Sequence, residues 1–178
     1  MRSITEHAPS PAHPNPNNVD GPIDDPLDTG PATPAPRSQD AAVTAVLSHE
    51  ECAFLAAHQW AVLATTRRDG TPQQSLVGYA IDQTGRIVIS TKAYTAKWHN
   101  AVRQPHVSLT VVEGRTHLVV YGPAHPVIDD PQRAELTADV FARLTGGSRP
   151  DPTSLVSALD EQQRTILQIT PTKALMHE

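Results

Sequence analysis

The sequence of 178 residues has one cysteine, two phenylalanines, two tryptophans and three tyrosines. A single thiol, that of Cys52, excludes an intramolecular disulfide and any multi-cysteine zinc or iron–sulfur site. No apolar run approaches the ~18 residues that a membrane helix needs, and no hydrophobic stretch follows Arg2 as it would in a secretory signal. The net charge of −5 argues against a general nucleic-acid binder. These absences predict a soluble, cytoplasmic protein that binds neither nucleic acid nor a membrane.

Proline and acidic residues are concentrated at the N-terminus. The first 40 residues contain nine of the 17 prolines and six of the 19 acidic residues, but only two of the 14 basic residues. Proline fixes φ and removes a backbone donor, and this segment has little apolar surface to offset the entropy of ordering. We therefore predict a disordered tail over residues 1–42. Residues 43–178 are predicted to form one domain, which is long enough to bury a core.

The apolar pattern after the tail predicts one helix followed by an antiparallel sheet. Ser48 and Glu51 form a capping box for a helix that ends near His58, and Leu47 and Cys52 occupy the positions of a hydrophobic staple. Cys52 is accordingly predicted to be a small core residue. Two-residue periodicity then predicts five strands, at 60–67, 73–82, 86–91, 106–112 and 117–128. Short strands joined mostly by tight turns indicate a sheet closed into a small barrel.

The last third of the chain predicts two helices and one more strand. Asp130-Pro131 and Asp151-Pro152 each place an N-cap carboxylate before a proline at the first helical position. The first of these helices is predicted to stop at Gly146. A strand over 167–176 is predicted to return to the sheet, with Pro171 at an edge or a bulge. The fold class predicted is mainly β with flanking helices.

Familiar active-site motifs are missing from the sequence. It contains no G-x-x-x-x-G-K, no G-x-G-x-x-G, no H-E-x-x-H and no G-x-S-x-G. The nine histidines show no metal-ligand spacing, so we predict no metal site. No acid–base constellation is visible, so we predict no catalytic residue; Tyr79, Tyr94 and Tyr121 are alternatives as proton donors or as structural aromatics.

A basic stretch without any acid covers residues 84–111. Within it, Ser90, Thr91 and Lys92 end a predicted strand, and Thr95 is placed to cap a helix that runs to about Arg103. A strand end followed by a helix N-terminus brings unpaired N–H groups, hydroxyls and cations to one point, which suits a phosphate. A solvated basic helix face is the alternative.

Three runs of this sequence resemble the pyridoxamine 5′-phosphate oxidase-like split barrels. They are AVLATTRRDGTPQ at 61–73, the strand at 75–82 and STKAYTAKWHN at 90–100. Their order and spacing are most similar to the actinobacterial branch that uses the deazaflavin coenzyme F420. The resemblance covers about 48–128 and implies an antiparallel split β-barrel of the FMN-binding type. It also implies a homodimer with a cofactor site at each end of the interface.

The resemblance implies a set of cofactor-binding residues: Ser75, Leu76, Val77, Ser90, Thr91, Lys92, Lys97 and Asn100. The first three lie on the strand whose backbone meets the polar edge of the cofactor ring. Ser90 and Thr91 match the strand end near the cofactor phosphate, and Lys97 matches the helix lysine that pairs with it. Asn100 matches a family asparagine but could pack the helix instead. Lys92 is included on charge and position alone.

The same resemblance bears on the choice of cofactor. Family members that use flavin mononucleotide (FMN) typically have an arginine on the second strand and an Arg-Lys pair in the helix, where this chain has Gln74-Ser75 and Ala96-Lys97. This difference favours F420, which has a less charged phosphodiester and an acidic oligoglutamate tail. The function implied is hydride transfer from reduced F420 to a small organic acceptor. An FMN-dependent oxidase or reductase and a non-catalytic cofactor-binding module are the alternatives.

Overall fold

A computed structural model describes residues 46–177, which form four helices and eight strands. The helices are α1 (His49–Ala57), α2 (Ala96–Arg103), α3 (Gln132–Thr145) and α4 (Pro152–Glu161). The strands are β1 (Trp60–Thr66), β2 (Pro72–Gly78), β3 (Ala80–Ile81), β4 (Ile87–Lys92), β5 (His106–Glu113), β6 (Thr116–Val127), β7 (Arg164–Ile169) and β8 (Lys173–His177). The predicted tail at 1–42 lies outside the described residues, so its disorder stays a prediction.

The capping box predicted for α1 is confirmed. The Ser48 N–H donates to Glu51 Oε2 at 2.7 Å, and the Glu51 N–H donates to Ser48 Oγ at 3.2 Å. The inward stripe of α1 follows Leu55, which is fully buried, and the half-buried Phe54 and His58. Cys52 lies to one side of this stripe and is exposed, so the prediction that it packs in the core is wrong.

The two Asp-Pro helix starts behave differently. At α4 the prediction is confirmed, because Asp151 is the N-cap, its side chain accepts from the Thr153 N–H, and proline opens the helix. At α3 the prediction is wrong by one residue, since Pro131 itself occupies the N-cap position. The physical reason is that Arg133 holds the Asp130 carboxylate at 2.6 Å, where it accepts from the N–H of Ala134.

The eight strands form one antiparallel sheet that curves without closing. Its order is β2-β1-β5-β6-β7-β4-β3, with β8 added beside β6. The first part of β6 pairs with β5 and β8, and its last part, 124–127, pairs with β7. The fold is therefore an open half-barrel with four flanking helices. This confirms the split barrel implied by the resemblance, but not the closed barrel suggested by strand periodicity.

Two of the predicted strands are divided in the structure. The predicted strand at 73–82 is split into β2 and β3 at Tyr79, whose N–H donates to Gln59 O at 3.3 Å outside the ladder. The predicted last strand is split into β7 and β8 around Pro171, which has no N–H to offer a ladder. The last strand therefore becomes two strands: β7 pairs with β4 and with the end of β6, and β8 pairs with an earlier part of β6.

Alternation along β4 separates two faces that matter for the site. Ile87 and Ile89 belong to the core inside the half-barrel, and Thr91 continues this face. Val88 belongs to a second cluster that packs under α3, and the side chains of Ser90 and Lys92 follow it on that face.

Candidate functional site

The open edge of the half-barrel lies along β2. This strand ends the strand order: one side pairs with β1, and no described strand pairs with the other. Its outer N–H and C=O groups are therefore available to a ligand. Ser75 is half-buried, Leu76 is 69% exposed and Val77 is buried. Because β2 also contacts β4 and α2, the predicted ring-binding residues lie beside the predicted phosphate-binding elements.

The N-terminus of α2 lacks a side-chain cap. Thr95 occupies the predicted N-cap position, but its hydroxyl donates to Lys92 O at 2.8 Å and makes no capping hydrogen bond. The first turn of α2 contains no acid. Because the first N–H groups of a helix have no intrahelical acceptor, this turn can receive an anion.

Two hydroxyls and one ammonium group belong to the same strand–loop–helix segment. Thr91 Oγ1 lies 3.3 Å from Thr95 Oγ1, and Thr91 is only 6% exposed. Lys97, the second residue of α2, is half-buried and forms no ion pair with another described residue. Hydroxyls, a cation and free N–H groups together are suited to a phosphate.

Asn100 is engaged by the protein itself. Its Nδ2 donates to Thr65 Oγ1 at 3.2 Å and to Gln73 Oε1 at 2.8 Å, while its Oδ1 accepts from Arg103 at 3.0 Å. Asn100 is 6% exposed, so these bonds replace its contact with water. The side chain fastens α2 to β1 and β2, in accord with the helix-packing alternative.

Ser90 and Lys92 are not brought together with Thr91 on one face. Ser90 Oγ accepts a hydrogen bond from Arg164 Nη1 at 3.3 Å, and Lys92 lies directly opposite Arg164 in the β4–β7 ladder. Sequence reasoning missed Arg164, which is 74 positions away from Ser90. Only the pairing of β4 with β7, which no local pattern indicates, connects them.

A basic cleft lies beside α2. It is lined by Arg68, Ala96, His99, Asn100 and Arg103. Two guanidinium groups therefore border one cleft, next to the N-terminal turn described above. Sequence reasoning did not assign Arg68, although its place in the run 61–73 was the available signal.

The outer face of the sheet exposes one large apolar side chain on each of five strands. One cross-strand row consists of Leu76, Val62, Thr110, Val119 and Leu175. This outer face also includes Trp60, Val112 and Tyr121, which are 55%, 58% and 39% exposed. Several exposed large apolar side chains on one face of a sheet indicate an interaction surface.

The three tyrosines have different surroundings. Tyr79 is fully buried and donates to Leu55 O at 2.8 Å, and its burial raises its pKa to about 12. Tyr94 is exposed beside Lys92, and Tyr121 lies on the outer face. Tyr79 is therefore a core residue. The start of α2, at 95–100, contains no tyrosine.

Two features are absent from residues 46–177, a metal-ligating cluster and a membrane-spanning helix. This part of the chain contains no cluster of three or more potential metal-ligating side chains from histidine, cysteine, aspartate or glutamate. None of its helices has both the length and the apolar character required to cross a bilayer.

Comparisons with known proteins agree with this geometry. The family model for pyridoxamine 5′-phosphate oxidase matches residues 47–178. No protein of curated function matches the sequence. A conserved hypothetical protein from Mycobacterium tuberculosis, Rv2991, is 24% identical, with a TM-score of 0.64, over 79% of this chain and 89% of its own.

Two further solved structures are similar. An F420 reductase is 26% identical with a TM-score of 0.51, over 66% of this chain and 89% of its own. A pyridoxamine 5′-phosphate oxidase-related, FMN-binding protein from Nostoc punctiforme is 18% identical with a TM-score of 0.54, over 73% of this chain and 84% of its own. With the family model, these folds confirm the resemblance found in the sequence. The chain belongs to the pyridoxamine 5′-phosphate oxidase family of split-barrel proteins.

Proposed function

We propose that this protein binds coenzyme F420 at the open edge of the half-barrel and is an oxidoreductase that reduces a small organic acceptor. The observation that carries this proposal is the uncapped, acid-free start of α2, with Lys97 in its first turn, beside the unpaired edge of β2. The similarity to an F420 reductase supports it. When bound, the deazaflavin supplies the hydride, and the protein orients the ring and limits side reactions.

The edge of β2 would hold the ring. Main-chain N–H and C=O groups near Ser75, Leu76 and Val77 can meet the polar edge of a planar heterocycle as they would meet another strand. Val77 is anchored in the core, which fixes the position of these groups. A rigid strand holds such donors more precisely than a loop does.

The phosphate would be bound by Thr91, Thr95 and Lys97. Ser90 and Lys92 lie on the opposite face of β4, so one phosphate cannot contact both sets. Asn100 acts as a positioning residue here, because it holds α2 against β1 and β2.

The basic cleft favours F420 over FMN. FMN ends at its phosphate, whereas F420 continues into an acidic tail that needs cations beyond that point. Arg68 and Arg103 border a cleft beside α2 where such a tail can lie. FMN remains the alternative that a direct titration with both cofactors tests.

Lys97→Ala should weaken F420 binding roughly tenfold to a hundredfold, because a charge-assisted hydrogen bond is worth on the order of 1.5–3 kcal/mol. Lys97→Arg should retain most of the affinity. Fluorescence titration of purified protein with F420, and separately with FMN, measures both effects. Arg115→Ala, in the exposed β5–β6 turn, removes one positive charge elsewhere and serves as the control. Unchanged affinity in Lys97→Ala would place the phosphate on another element.

We also propose that the outer face binds a second copy of the chain. In the register of its strands this face includes one formally charged residue, Lys173, so its apolar row can pack against itself around a two-fold axis. Closed two-fold pairing would give two equivalent cofactor sites.

Leu175→Glu should shift the dimer towards monomer, raising the dissociation constant by at least about tenfold, because a desolvated unpaired carboxylate is costly. Light scattering and sedimentation over a concentration series measure this change. Val102→Glu, a 50% exposed position on α2, is the matched control and should leave the dimer intact. A wild-type protein that is monomeric and binds cofactor at full strength would refute the proposal.

A further inference from the structure

A second pair of cations lies on the face of β4 that the proposed phosphate site does not use. Lys92 and Arg164 are directly opposed in the β4–β7 ladder. The Ala93 N–H donates to Gln163 O at 2.8 Å, so the neighbouring pair is the non-hydrogen-bonded type, with Cα atoms about 4.5 Å apart. Like charges in this arrangement repel each other and destabilise the sheet.

Described acids do not offset this repulsion. Neither cation is in an ion pair with a described residue. Of the two acids that end α4, Asp160 is paired with Arg133 at 2.7 Å and Glu161 is in no ion pair with a described residue. Lys92 Nζ instead lies 5.6 Å from the Tyr94 ring centroid. The Arg164 guanidinium likewise lies 5.5 Å from a ring centroid, that of a phenylalanine on α3.

The turn that immediately precedes Arg164 has a strained backbone. Gln163 joins α4 to β7 with a φ of 49°, in the left-handed region that disfavours residues other than glycine. Such residues persist where the surrounding structure fixes them, and they are frequent at binding sites. The strained residue is therefore adjacent in sequence to one of the two opposed cations.

We propose that Ser90, Lys92 and Arg164 form a second oxyanion site, which binds inorganic phosphate or a phosphomonoester on the α3 side of β4. Arg164 Nη1 contacts Ser90 Oγ at 3.3 Å and Nε contacts Gln162 Oε1 at 3.3 Å, which leaves Nη2 directed to neither. An ammonium, a guanidinium and a hydroxyl on adjacent strands match the several oxygens of a tetrahedral phosphate. This site is independent of the F420 proposal, because Thr91 and Lys97 serve the other face.

The test uses inorganic phosphate and the full chain without cofactor. Thermal melts are recorded in phosphate and in chloride at equal ionic strength. At ten times the dissociation constant, phosphate should raise Tm by about 4 °C. All variants are compared in the Lys97→Ala background, because Lys97 belongs to the proposed cofactor site, which can also bind phosphate. In that background Arg115→Ala, the control in the exposed β5–β6 turn, should keep the response, whereas Lys92→Gln and Arg164→Gln should each lose most of it.

The decisive readout is the sign of the Lys92→Gln effect in chloride. Removal of the repulsion should raise the Tm of Lys92→Gln in chloride. If Lys92 had only a packing role, its replacement would lower Tm. A lower Tm of Lys92→Gln in chloride, a phosphate response retained in Lys92→Gln, or a response lost in Arg115→Ala would each overturn the proposal. The proposal would also be overturned if phosphate raised Tm no more than chloride does at equal ionic strength. If Arg164→Gln does not fold, Arg164→Lys, with its charge kept, should retain part of the response.

Discussion

Gly122→Ala should destabilise the protein by about 3 kcal/mol or more, beyond the usual cost of one extra methyl group in a packed core. A Cβ at this position would lie 2.9 Å from the carbonyl carbon of Thr170 and closer still to its oxygen. That carbonyl cannot retreat, because Thr170 N donates to Pro123 O at 3.0 Å and Thr172 N donates to Tyr121 O at 2.8 Å. The methyl group must therefore break the contact between β6 and the β7–β8 connection.

Gly78→Ala is the matched control. Its Cβ would meet Leu144 Cδ1 at 2.5 Å, which is the tip of a half-buried, flexible side chain. A rotamer change relieves this clash, so we expect a cost of about 1 kcal/mol. Urea unfolding followed by circular dichroism compares the two variants. Equal losses at both glycines would show that the strand can move away from Thr170.

The second large effect is a loss of stability in alkali caused by Tyr79. Burial raises its pKa to about 12 in the folded protein, against 10.0 in the absence of burial. The group is neutral in both states below pH 10, so its contribution is fully present there. Above pH 10 only the unfolded chain ionises, and stability is lost until the pH passes 12. The total loss is about 3 kcal/mol, of which about 2 kcal/mol occurs by pH 12.

Tyr79→Phe isolates this effect from other alkaline titrations. At pH 8 the variant should be less stable by about 1 kcal/mol, because the hydrogen bond to Leu55 O is gone. At pH 12 the order should reverse, since phenylalanine cannot ionise. Tyr94→Phe, at an exposed position, should follow the wild type throughout. Parallel pH curves for wild type and Tyr79→Phe would mean that the hydroxyl ionises as readily when folded.

Local patterns were sufficient for much of the fold. The capping box at Ser48, the proline start of α4 and the alternation along β5 depend on neighbouring residues alone, and all three agree with the structure. Cys52 and Asp130 were mispredicted because tertiary contacts decided them. The thiol lies outside the buried stripe of α1. The Asp130 carboxylate, paired with Arg133, accepts from the N–H of Ala134 while Pro131 occupies the N-cap position.

The candidate site was only partly accessible from the sequence. The segment from Thr91 to Lys97 is continuous, so its polar groups were recognisable together. Arg164 was not recognisable from the sequence as part of the site, because only the β4–β7 ladder brings it close to Ser90. The facing directions of Ser90, Thr91 and Lys92 have a different cause: they follow from the two-residue period of a strand, which the grouping of these positions by charge and hydroxyl did not apply.

The position of β7 has a consequence for how the chain folds. β7 lies between β6 and β4 in the strand order, and β4 has no other long ladder, since β3 contributes only two residues. The hairpin of β1 and β2 and the hairpin of β5 and β6 can form from local contacts, whereas β4 must wait for residues 164–169. This raises the contact order and predicts slow final assembly. Until β7 inserts, β4 and the end of β6 expose unpaired edges, and in that interval the nascent protein is most prone to aggregate or to need a chaperone.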